Sequence, residues 1–189
     1  MRSISLRSAL GIGLLAVAHP AFAGNMLVNP GFETGDLTGW PHSAFQGNIA
    51  PSTAQAHGGG FSVKFSSVNN ASLAMSQELN PTHVSQIGEV SLWYKRTGNP
   101  NATPASIRLL YTDGSFSDTS TDPSANNWTF LDLTTLLAPG KSLQTLQITA
   151  AGQNQSVFFD DIVVNAVPAP TSALLAAAPL ALAARRRRR

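Results

Sequence analysis

The chain has 189 residues, no cysteine, and a formal net charge of +2 with a pI near 9.4. The basic excess sits at the two ends, in Arg2, Arg7 and the five arginines 185–189. Between them only Lys64, Lys95, Arg96, Arg108 and Lys141 face ten acidic residues, a net of about −5. An acidic middle excludes nucleic-acid binding, and the lack of cysteine excludes disulfide staples and thiol nucleophiles.

The first 23 residues read as a secretory signal peptide. A charged stretch through Arg7 precedes an apolar run at 9–18, and Ala21-Phe22-Ala23 offers small residues for a signal peptidase cutting after Ala23. Some ten apolar residues are too few to span a bilayer, which needs about twenty. Residues 24–166 then form one domain, long enough for a self-sufficient core.

Through that domain, short alternating runs recur between turn residues, the pattern of an antiparallel β-sandwich. A first strand falls near Met26 and another near Ala44. Phe61, Val63 and Phe65 alternate with polar residues, Leu73, Met75 and Leu79 mark a further run, and Val90, Leu92 and Tyr94 another. Residues 107–112 and 115–119 flank Asp113-Gly114, a two-residue hairpin signal. Strands at 128–133, 143–149 and 157–165 bring the expected count to nine or ten.

After Asn165 the composition changes. Val167-Pro168-Ala169-Pro170 suits neither a helix nor a central strand, residues 173–184 are almost wholly apolar, and five arginines close the chain. An apolar segment followed by a basic cluster is a stop signal with its arginines on the cytoplasmic side. With Pro179 interrupting it, this short hydrophobic helix suits transient membrane contact better than a lasting anchor. These three parts, in this order, resemble the PEP-CTERM sorting signal of Gram-negative bacteria, with Ala169 where that family usually carries Glu. The resemblance implies processing around Pro168, Ala169 and Pro170 by an exosortase-type membrane protease, and export to the cell envelope or beyond.

Two further segments resemble galactose-binding-like jelly rolls and carbohydrate-binding modules. They are Asn29-Pro30-Gly31-Phe32-Glu33-Thr34-Gly35 with Gly39-Trp40 at the opening, and Phe158-Phe159-Asp160-Asp161-Ile162-Val163-Val164 at the close. Gly60-Phe61-Ser62-Val63-Lys64 matches a strand start in such modules. The resemblance implies an antiparallel jelly-roll β-sandwich that binds extracellular polysaccharide.

Strand alternation puts Asp160 and Asp161 on opposite faces of an otherwise apolar run. A buried carboxylate needs a partner, and cations are scarce here. One solution is a Ca²⁺ ion; the other is solvent exposure or backbone N–H donors. The resemblance implies a structural Ca²⁺ held by Glu33 and Asp160, with backbone oxygens near Gly35 and Phe61. On the strand carrying Val90, Leu92 and Tyr94, Trp93 points the other way with Ser91 and Lys95. Trp93 is the first candidate sugar contact, ahead of Tyr111 and Lys95, and the alternative is a tryptophan packed under a loop. Trp40 and Trp128 read as structural. His42, His57 and His83 lack metal-ligand spacing, and no Gly-x-Ser-x-Gly elbow or phosphate loop occurs. The expectation is a non-catalytic glycan-binding protein. A small polysaccharide-active enzyme using carboxylates such as Glu78, Glu89 and Asp118, or a structural matrix protein, are the alternatives.

Overall fold

The computed structural model describes residues 24–98, 103–152 and 154–167. The expected signal peptide, the expected sorting tail with its apolar segment, and the expected processing residues Ala23, Pro168, Ala169 and Pro170 lie outside them. Among the described residues no helix is long and apolar enough to cross a membrane.

Eight strands form the domain: β1 (His42–Ser52), β2 (Ser62–His83), β3 (Ile87–Gly98), β4 (Ser106–Tyr111), β5 (Phe116–Ser120), β6 (Thr129–Asp132), β7 (Ser142–Gly152) and β8 (Gln155–Ala166). Every pairing is antiparallel, in the order β5-β4-β7-β2-β8-β3-β6, with β1 also on β2. The count is lower than expected because the runs at 61–65 and 71–79 belong to one strand of 22 residues. The start of β2 pairs with β8 and its later part with β7, so this strand joins two halves of one curled sheet. We call β6-β3-β8 with the start of β2 the first half, and β5-β4-β7 with the rest of β2 the second.

The halves close on each other through side chains at period two. Val63 and Phe65, Leu92 and Tyr94, and Val157 and Phe159 from the first half meet Leu73 and Met75, Ile107 and Leu109, and Leu146 and Ile148 from the second, in one buried cluster. Each such side chain is worth about 1.5–3 kcal/mol on burial, which lets the domain dispense with disulfides. This is the jelly-roll sandwich expected from the sequence.

The opening segment caps that core rather than forming a strand. Phe32 and Trp40 are fully buried, 5.7 Å apart, and the Trp40 indole N–H donates to the Asn29 carbonyl at 3.1 Å. Asn29 and Phe32 hold positive φ values of 49° and 59°, which fold the chain back on itself there. The expected first strand reduces to one bridge, Asn25 to Asn165, beside a Met26 N–H to Val164 carbonyl bond.

A covered corner and an open sheet face

The outward side of the first half is covered. Residues 53–61, joining β1 to β2, cross over β8 and β3 and are fastened there by acidic side chains. The N–H groups of His57 and Gly58 donate to Asp160 Oδ2 at 2.7 and 3.2 Å. His57 Nδ1 meets Asp161 Oδ2 at 2.7 Å, and the N–H groups of Gly60 and Phe61 donate to the Glu33 carboxylate at 3.0–3.1 Å. Glycine is required for this path. At Gly59 φ is +60°, and a Cβ would lie 2.4–2.5 Å from the Glu33 carboxyl group.

Strict alternation on β8 is broken, against expectation. Ser91 pairs with Val163 but Trp93 pairs with Asp160, so β8 holds one extra residue, and Asp161 there has φ of +45°. This β-bulge re-aims a side chain, so both aspartates serve the same segment 57–61 instead of opposite faces. Glu33 joins them: a Cβ on Gly31 would lie 3.6–3.7 Å from Asp161 Oδ1, Asp160 Oδ1 and Glu33 Cγ. Desolvation pushes the fully buried Asp160 carboxyl up to about 6, against the N–H groups of His57, Asp161 and Gly58, and the charge of Asp161 adds to the rise. Glu33 is held below its ordinary value by the Gly60 and Phe61 N–H groups.

Among the described residues no three His, Cys, Asp or Glu side chains make a metal cage unaided. Asp160 accepts three backbone N–H bonds and Glu33 accepts three contacts from two N–H groups, out of about four lone-pair sites on a carboxylate. Each therefore keeps acceptor capacity for one further bond. No lysine or arginine bonds either carboxylate in these contacts, and carboxylate oxygens are the hard donor type that Ca²⁺ takes.

Aromatic rings gather beside this segment. The His57 imidazole stacks on Trp93 with centroids 3.9 Å apart and planes at 16°, Trp128 meets His57 edge-on at 5.5 Å, and Phe130 lies 5.3 Å from Trp93. Trp93 is therefore half-buried under a loop, not an open platform. Lys95 lies on the same side, with Nζ donating to Gln55 Oε1 at 2.6 Å. Tyr111 belongs to the core: it is 2% exposed, and its hydroxyl bonds the Leu136 carbonyl and accepts from the Ala138 N–H. The three expected sugar contacts do not come together, because Tyr111 points inward on the other half of the sheet.

The outward side of the second half is open. Register places Asp118 beside Arg108, Arg108 beside Gln147, and Gln147 beside Ser76, a row of polar side chains across β5, β4, β7 and β2. Arg108 Nη2 bonds Asp118 Oδ2 at 3.2 Å, and its guanidinium lies 3.9 Å over the Phe116 ring, which is 51% exposed. Arg108 Nε, though buried as an atom, has no hydrogen-bond partner in the structure. The next row holds Phe116, Leu110, Thr145 and Glu78. Glu78 and Asp118 sit on β2 and β5, three strand spacings and one row apart in backbone register. Glu89 lies on the other half, bonded to Ser91 and Asn165.

Sequence reading missed this row, His57 and Phe130. Phe130 was legible in principle, since the short alternating run Trp128-Thr129-Phe130 sits on a strand edge. The row was not, because it depends on register.

No protein-family model and no curated protein matches the chain. Solved structures share its fold. The enzymatically active domain of a tailspike protein from bacteriophage CBA120 aligns with 76% of this chain at 16% identity and a TM-score of 0.60, but that alignment spans only 21% of the tailspike chain. TmCBM61, solved with β-1,4-galactotriose, is 21% identical, with a TM-score of 0.56 over 75% of this chain and 98% of its own. The CBM22-1 xylan-binding domain from Paenibacillus barcinonensis is 16% identical, with a TM-score of 0.55 over 79% and 99%. At these identities the likeness establishes the β-sandwich of carbohydrate-binding modules.

Proposed function

We propose that this domain is a non-catalytic glycan-binding module whose contact surface is the open face of the second half. The observation that carries the reading is the row Asp118–Arg108–Gln147–Ser76 beside the exposed Phe116 ring. A sugar ring is apolar on its C–H faces and polar around its rim. It stacks on Phe116 while a guanidinium, an amide, a carboxylate and a hydroxyl receive its rim hydroxyls. Arg108, neutralised by Asp118 and accompanied by Glu78, leaves this face slightly negative, which favours neutral glycans. The solved neighbours with galactotriose and xylan in their names belong to that chemical class.

The test is a panel of immobilised β-1,4-galactan, xylan and other neutral and acidic glycans. Wild type should bind a neutral member without releasing reducing ends, and Phe116→Ala should weaken that binding at the open face by about 1–2 kcal/mol. Binding that prefers acidic glycans, or that ignores Phe116 altogether, would sink the proposal.

The same reading gives the acidic corner a structural Ca²⁺, with Glu33 and Asp160 as side-chain ligands. It would neutralise carboxylates that no lysine or arginine offsets and would fasten residues 57–61. A bound ion stabilises by RT ln(1 + [L]/Kd), about 2.7 kcal/mol at a hundredfold excess over Kd. Chelator should lower Tm by several degrees, Ca²⁺ should restore it, and Asp160→Asn should abolish the difference. A melting curve indifferent to chelator refutes the ion. The domain is further proposed to be exported and trimmed at both ends by signal peptidase and an exosortase-type protease. Mass spectrometry of the protein from its host should find residues beyond about 170 missing or modified, and an intact Arg189 on the cell surface would exclude that processing.

A further inference from the structure

We infer that the aromatic corner of the first half is a second contact site for neutral glycan, so that one domain bridges two sugar chains. This rests on the glycan-binding reading but uses a different surface. Trp93, His57, Trp128 and Phe130 form a continuous group, with centroid separations of 3.9, 5.5 and 5.3 Å. Phe130 is 48% exposed on β6, a four-residue edge strand, and its ring lies on the outward side because Phe130 pairs with outward-facing Trp93. Rings that served the core would point inward, as the neighbouring Leu131 does.

The corner is also rigid. His57 is held by its own N–H to Asp160 and by its ring nitrogen to Asp161, and its imidazole is pressed on Trp93. Little order remains to be lost when a ligand docks, which favours binding. Polar groups border the rings: the Asp161 carboxylate, bonded to the His57 ring, and the Gln55–Lys95 pair, whose lysine is on the strand that carries Trp93. Aromatic faces bordered by carboxylate, amide and ammonium groups match the alternating apolar and hydroxylated surfaces of a sugar. The charge argues against a polyanion. Lys95 keeps its charge while bonding Gln55 but is outnumbered by Asp161 and Asp132, half-exposed and exposed nearby. Because the two halves close inward on one core, this corner and the open face look away from each other. One polysaccharide segment cannot occupy both, so two segments are joined.

The experiment compares wild type, Phe130→Ala, Trp128→Ala, Phe116→Ala and a control, Val68→Ala, which removes an exposed side chain far from either surface. The probes are short oligomers and long polymers of β-1,4-galactan, xylan and β-1,4-glucan. Calorimetry on the oligomer that binds should count two sites in wild type and in the control, and one in each of the other variants. The polymer should be cross-linked into a precipitate only by proteins with two sites. A single wild-type site, lost in Phe116→Ala and untouched in Phe130→Ala, overturns the corner and leaves the open face standing. A single site lost in Phe130→Ala and untouched in Phe116→Ala overturns the open face instead. Binding to no probe removes the glycan reading and this inference with it.

Discussion

The two outward faces of this sandwich are built from the same alternation and treated in opposite ways. On the first half, residues 53–61 lie across β8 and β3, bury Asp160 completely and leave Phe158 3% exposed, although both point away from the core. On the second half Phe116 stays 51% exposed with the Arg108 guanidinium 3.9 Å over its ring, and Arg108 and Gln147 are half-buried. The difference arises from connection and charge. The β1–β2 connection is long and glycine-rich; Asp160 and Glu33 accept its backbone N–H groups, and Asp161 meets the His57 ring nitrogen. The β4–β5 connection is a tight hairpin with no chain to spare. A sheet face is covered or left exposed according to the loop beside it.

If that contrast holds, Trp93→Ala and Phe116→Ala should have opposite signatures. Trp93→Ala removes the ring under His57 and should cost about 2–4 kcal/mol, a fall of well over 5 °C in Tm. Phe116→Ala removes an exposed ring and should stay within about 0.5 kcal/mol in stability. Thermal melts of the two variants decide it, and equal effects would erase the distinction between the faces.

A smaller effect should appear with pH in the metal-free protein. Asp160 in the folded state titrates near 6, above its unfolded value, so the folded protein binds the extra proton between about pH 4 and 6. Its contribution is fully present below pH 4 and lost as pH rises through 6. Tm should therefore decline by a few degrees over that window and then level off. Asp113 works in the opposite sense: bonds from Ser115 and then Lys141 hold it at about 2, so its contribution is lost only as pH falls below 4. A Tm that climbs from pH 4 to 6 without metal would show that Asp160 is not desolvated. Smallest of the three is Gly59→Ala, expected to cost about 1–2 kcal/mol through its left-handed φ while Glu33, an exposed side chain, moves aside. Chemical denaturation would read it, and no change would mean that the covering segment is loosely held.

The covered face and the open one were unequally legible in the sequence. The sandwich and its core followed from period-two patterning, and Phe32 and Trp40 proved structural. The acidic pair was recognised as needing partners, but its orientation was misjudged, because no alternation rule foretells the bulge at Asp161. The open face was lost at a turn. Asp113-Gly114 does mark the hairpin, yet the loop spans Thr112, Asp113 and Gly114, with Gly114 at φ +80° and Leu110 paired to Phe116. A two-residue turn would have set Arg108 against Thr119 and sent Asp118 to the other side. One residue of register decides whether a guanidinium and a carboxylate share a face. Tyr111 was misjudged because it points into the core, and the cover over Trp93 could not be read, since alternation shows which residues point outward from a strand but not what lies on top of them.

Asn25 and Asn165 pair, so the chain enters and leaves the fold at a single point. A unit with adjoining ends behaves as a cassette. It can be set into a loop of another protein without prising that host apart, or cut open elsewhere and rejoined across its old ends. A linker fused after residue 167 and a fusion partner placed before residue 24 would both emerge there and compete for the same space. For engineering, one-sided attachment is the design that leaves both outward faces clear.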